Sequence, residues 1–231
     1  ERGSFRPVTL VTNDMLDGAL RMFEREDGVP DGRPEILMEI TMQNLLAGGE
    51  LDLRDFLDRV DMLTSLGRTV LISNYGEFYR LVNFLTRYTA GPIGLPLGIP
   101  SLSEIFTEKY YNNLEGGILE ALGRLFKKNV RLYVCPYISA GELVDCANFR
   151  VAPHLKHLYA HLLENGSIRG IEDYHPDYLY IRSQHVLELV RKGDHAWEKM
   201  VPPQVAAIIK ERGLFHAEEG EGNALQVCSE Q

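Results

Sequence analysis

Only three of the 231 residues are cysteine (Cys135, Cys146 and Cys228), with no CxxC pair and one thiol left over in any disulfide scheme. A reducing cytoplasm is the simpler reading of that count and the expected compartment. No apolar run approaches the roughly 20 residues that cross a bilayer, and no charged-then-apolar leader opens the chain. Neither membrane insertion nor secretion is expected. Basic residues are outnumbered, 24 against 33 acidic ones for a net charge of -9, and they are scattered. A nucleic-acid partner is disfavoured, because neutralising phosphates requires a concentrated basic surface. Also missing are a dinucleotide GxGxxG, a Walker sequence, GxSxG and HExxH. No motif names a reaction or a cofactor.

What is present is an apolar fraction of 45%, enough for a sizeable core. Short β-branched runs alternate with amphipathic segments over the first 137 residues or so, as in a parallel sheet with crossover helices. Strands are expected at residues 8–12, 35–41, 69–74, 93–99 and 130–137. The stretch 69–74, "TVLISN", reads as the clearest buried strand, and Pro96 makes 93–99 an edge, bulged or irregular strand. Asn13 or Asp14 is expected to cap the first helix, which buries Met15, Leu16, Ala19, Leu20 and Phe23. The second helix follows Gly48 and Gly49, buries Phe56, Leu57, Val60, Leu63 and Leu66, and stops at Gly67. The third buries Phe78, Leu81, Val82 and Leu85, with Glu77 and Arg80 paired outside. Ser101 and Ser103 offer caps for the next helix. "GGILEALGRLF" turns Ile118, Leu119, Leu122, Leu125 and Phe126 inward and pairs Glu120 with Arg124.

After Ala140 the strand signals stop, and helices are expected near 153–164, 183–192 and 202–212, with Gly166 and Gly193 ending two of them and Ser183 capping one. The expected fold is therefore α/β: a parallel sheet of about five strands, Rossmann-like or part of a barrel, over residues 1–140. A helical extension over 141–217 packs on it, and an acidic tail over 218–231 is flexible. The chain opens on Glu1 and reaches "FRPVTLVTND" within a few residues, so it is expected to begin inside a longer protein.

In a parallel α/β sheet ligands sit beyond the carboxyl ends of the strands. There the sequence places Asn13, Asp14, Thr41, Gln43 and the group "SNYGE", which supplies Ser73, Asn74, Tyr75 and Glu77. Asp14 and Glu77 are the candidate acids or bases, and Asn13, Ser73, Asn74 and Tyr75 candidate contacts. Gly116 and Gly117 open a helix whose free N–H groups could hold a phosphate or carboxylate, although a tight turn between helices is the better reading. Lys109, Tyr110 and Tyr111 could line a pocket for a planar ligand, although core packing is the better reading. His154, His157 and His161 form one stripe at i, i+3 and i+7, about 120° from the face of Leu155, Leu158, Tyr159 and Leu162. They are metal candidates on spacing alone, and a solvated face is the leading reading. His175, His185 and His195 have no visible partner.

At "LISNYGEFYRL", "SLSEIFTEKYYNNLEGGILEALGRLFKKNVRLYV", "VAPHLKHLYAHLLENG" and "WEKMVPPQVAAIIKERGLF" the chain resembles the C-terminal half of a family of longer bacterial proteins, some labelled nicotinate-nucleotide adenylyltransferase. The resemblance implies a bacterial enzyme domain. That superfamily's HxGH and SxTxxR-like segments are not in these residues, so it implies that catalysis lies upstream and transfers no catalytic residue here. The expected function is binding of a small anionic or nucleotide-like ligand. The alternative is a non-catalytic assembly domain forming a homo-oligomer.

Overall fold

The computed structural model describes residues 1–29, 34–42, 52–127 and 129–215. Gln43, Gly48 and Gly49 and the expected tail at 218–231 lie outside them. The fold is mixed α/β, and it departs from expectation at its first element. Residues 8–12 are not a strand: α1 (Leu10–Phe23) starts there, because the Thr9 hydroxyl accepts from the Thr12 amide at 3.4 Å and caps it. Asn13 and Asp14 are thus inside a helix, where the apolar spacing of Leu16 and Ala19 outweighs the β-branched run before it. The strand-like segment lies earlier. Arg2 bridges Glu39 in parallel, and Gly3 N–H donates to the Glu39 carbonyl at 3.1 Å.

Two small parallel sheets follow. In the first, β1 (Leu37–Thr41) pairs with β2 (Thr69–Ser73) in the register Leu37 to Thr69 and Thr41 to Ser73. Between them runs α2 (Leu53–Ser65), capped by Asp52. Then α3 (Phe78–Leu85) leads to β3 (Ile93–Gly98), α4 (Ile99–Ile105), α5 (Gly117–Leu125) and β4 (Val130–Cys135). A hairpin of β5 (Tyr137–Ser139) and β6 (Glu142–Val144) precedes α6 (Lys156–Glu164), β7 (Ile168–Gly170), α7 (Ser183–Arg191) and α8 (Pro203–Arg212). The second sheet has the order β3-β4-β7. Among the described residues there is neither a five-stranded sheet nor a barrel. The division falls between β2 and β3, each of which pairs with one neighbour only.

Pro96 does place β3 at an edge, since proline has no N–H to donate. By contrast β2, expected to be a clearly buried strand, is an edge strand with Ile72 47% exposed. Strand β7 went unforeseen because three residues carry no period. The second helix is rotated from its expected stripe. Asp55, Arg59, Met62 and Leu63 face inward while Leu57 is exposed. The ion pair of Asp55 with Arg59, joined by Arg6 Nε at 2.6 Å from Asp55 Oδ1, lets two charged positions face inward. Burial pulls the Arg59 guanidinium below its usual pKa. Leu119 is likewise exposed, with Ala121 inside instead. Ser101 and Ser103 cap nothing, because α4 follows β3 directly with Gly98 as its N-cap. Ser183 is the first residue of its helix rather than the cap, which is Arg182. The exterior pairs Glu77 with Arg80 (2.9 Å) and Glu120 with Arg124 (2.5 Å) form as expected.

One core packs α3 to α6 on the second sheet, and another gathers β1 and α2 with α7 and α8. Helix α1 packs against β3 and β4 and joins a third cluster with Tyr133, Cys135, Ile171 and Leu179. That contact is close at Gly18, where a Cβ would lie 2.7 Å from Ile171 Cγ2 and 2.9 Å from the Asp173 carbonyl oxygen. Gly18→Ala should therefore destabilise the protein by about 1–3 kcal/mol in urea titration, where an ordinary helical Gly→Ala stabilises. An unchanged or higher midpoint would mean that α1 has room to shift. Among the described residues no helix is long and apolar enough to cross a membrane.

Candidate functional site

The strand-end residues are dispersed by the fold. Ser73 is buried and gives its hydroxyl proton to Glu39 Oε1, while its oxygen accepts from Tyr75 N–H at 3.2 Å. The Tyr75 ring packs on Phe84 at 5.4 Å, and Asn74 is exposed. Glu77 is the N-cap residue of α3 with its carboxylate on Arg80. Asn13 donates to Asp17 Oδ2 at 3.0 Å. At the start of α5, Gly116 N–H donates to Glu120 Oε2 at 2.9 Å, so the chain's own carboxylate takes the place expected for an anion. The three histidines of α6 and the turn before it do not converge. His154 meets Glu108 at 2.8 Å, His161 meets Asn165 at 3.2 Å, His157 is exposed, and no metal-binding group is found among the described residues. Of Tyr110 and Tyr111, the second is buried and donates to the Ile105 carbonyl at 2.8 Å, as core packing requires.

Ser73 and Tyr75 do meet at a pair that sequence reading passed over, Arg2 and Glu39. Arg2 Nε donates to Glu39 Oε2 at 2.5 Å and Nη2 to Oε1 at 2.9 Å. Nη2 also donates to the Tyr75 carbonyl (2.9 Å) and Nη1 to the Gly76 carbonyl (2.6 Å), and the guanidinium stacks on the Phe78 ring at 4.4 Å. Glu39 is 2% exposed. The signal was available, since a glutamate inside the apolar strand "ILMEIT" calls for a buried cation.

This pair closes one end of a cavity of about 540 Å³ between the two sheets. Leu37 and Leu71 line it from the first sheet, Ile93 and Leu95 from β3, Leu16, Ala19 and Phe23 from α1, and Leu81 and Leu85 from α3. Its exposed wall residues Glu35, Tyr88, Thr89 and Gly91 precede β1 and β3, which puts the mouth at the amino ends of the strands. Tyr133 also lines it, with its phenol pushed up by burial and its OH donating to Glu26 at 3.2 Å. Glu26 in turn holds Arg131 (2.8 Å) and Arg169 (2.7 Å). Size and apolar wall suit a small-molecule site.

A second arrangement sits by the carboxyl end of β4. Asp14, 8% exposed, accepts from His175 N–H at 2.8 Å on one oxygen and lies 2.6 Å from His175 Nδ1 on the other. The imidazole is exposed and stacked on Tyr178 at 4.9 Å. Held this way it can take or give a proton at Nε2, with Asp14 as the orienting group. The sequence contains both residues, but the 161 positions between them hide the pairing. Neighbouring Cys135 is no nucleophile, because burial pushes its thiol up to about 12. The fold therefore offers an apolar cavity and a carboxylate-held histidine. No family model matches the chain, and no curated protein matches it either.

Proposed function

We propose that this chain is a ligand-binding α/β domain that takes a small molecule into the cavity between its two parallel sheets. The cavity itself carries the reading: about 540 Å³, walled by both sheets, α1 and α3, with a buried ion pair at one end. The resemblance to the C-terminal half of longer bacterial proteins is compatible with a binding domain. The assembly reading calls for an apolar patch on α6, α7 and α8. The large hydrophobics exposed among the described residues, such as Leu53, Leu57 and Ile72, lie elsewhere.

The test is titration with N-phenyl-1-naphthylamine, an uncharged probe that fluoresces in apolar surroundings. Saturation at one probe per chain is expected. Leu71→Trp, which fills the cavity from β2, should weaken binding at least about tenfold while circular dichroism shows the fold intact. Absence of saturable binding to the wild type would refute the proposal.

A further inference from the structure

Given a small-molecule site in the cavity, the charge arrangement of its wall decides which class of molecule enters. Arg2 supplies the one cationic side chain lining it among the described residues, and both oxygens of Glu39 hold it while the carbonyls of Tyr75 and Gly76 take further N–H groups; the terminal ammonium of Glu1 is given to the Leu37 carbonyl at 2.8 Å. Glu39 takes the Ser73 hydroxyl as well. At the mouth, Glu35 accepts from Thr69 Oγ1 at 2.7 Å, and Thr89 Oγ1 accepts from Gly91 N–H at 3.0 Å. The Tyr133 hydroxyl is given to Glu26. Glu1 also lines the cavity, but the alternation of an extended chain sends its side chain to the face opposite Arg2. There, with Met38, Asn13 and Arg68, it lines a second pocket of about 10 Å³, the size of one water.

Among the described residues no cationic side chain on the wall is thus left to neutralise an incoming negative charge. An anion would be buried unpaired beside the Glu39 carboxylate, or would sit at the mouth against Glu35. The net charge of -9 opposes it from a distance. We infer that the ligand is an uncharged, largely apolar small molecule and that anions are excluded from the cavity.

Displacement of N-phenyl-1-naphthylamine by 1-octanol and by octanoate, equal in chain length, tests this. Octanol is expected to displace the probe at a concentration at least about tenfold lower than octanoate. In Glu39→Gln the guanidinium of Arg2 keeps its charge but loses its counter-charge, so octanoate should gain about tenfold while octanol changes little. Octanoate matching or beating octanol on the wild type overturns the inference and leaves the site standing. Failure of the probe to bind the wild type removes the site and the inference with it. Should Glu39→Gln not fold, the wild-type order alone decides.

Discussion

Glu39→Ala should lower stability by about 3–5 kcal/mol, the range for removing one partner of a buried ion pair. The loss has three sources. Arg2, with a side chain 11% exposed, keeps its charge and loses two charge-assisted hydrogen bonds. Ser73 loses its acceptor, and the parallel bridge tying the first residues to β1 loses its side-chain contact. Urea denaturation measures the change. The double variant Arg2→Met, Glu39→Leu should recover most of it, because an apolar pair of similar volume carries no uncompensated charge. If the double variant proved as unstable as the single, packing rather than charge would hold this corner. A Glu39→Ala change below about 1 kcal/mol would mean that Arg2 relaxes into water.

Leu132→Ala is expected to cost about 2–5 kcal/mol, as large-to-small changes at closed core sites do. Leu132 is fully buried on β4, the middle strand, beside Leu95 of β3 and Ile168 of β7. Neighbours on both sides are pinned by the ladder, so the vacated space collapses little. The equivalent truncation at Ile72 on β2, 47% exposed, should cost under about 1 kcal/mol. Comparable losses at both positions would contradict the division into a central and an edge strand.

Much of the local structure is legible from residue order. Pro96 marks an edge strand, Gly166 and Gly193 end helices at φ +72° and +68°, and the pairs Glu77 with Arg80 and Glu120 with Arg124 sit where i, i+3 and i+4 spacing puts them. The candidate site is far less legible. The sequence offers Ser73 and Tyr75 as ligand contacts, and in the structure the Ser73 hydroxyl and the Tyr75 carbonyl hold a buried ion pair. The strand end expected at Asp14 does not form, and nothing in the spacing of His175 marks it as the partner of Asp14.

The two levels divide along range. Capping, helix termination and near-neighbour charge pairs depend on residues within four positions of one another, so composition and spacing settle them. Helix rotation, edge strands and site assembly depend on partners far along the chain. The face α2 buries follows from Asp55 meeting Arg6 as well as Arg59. A three-residue β7 forms because β4 is there to pair with it. The cavity exists because β2 and β3 do not pair, leaving a space that α1 and α3 wall but do not fill. Its expected preference for an uncharged guest follows from Arg2 reaching Glu39 across 37 residues, a contact that only folding can make.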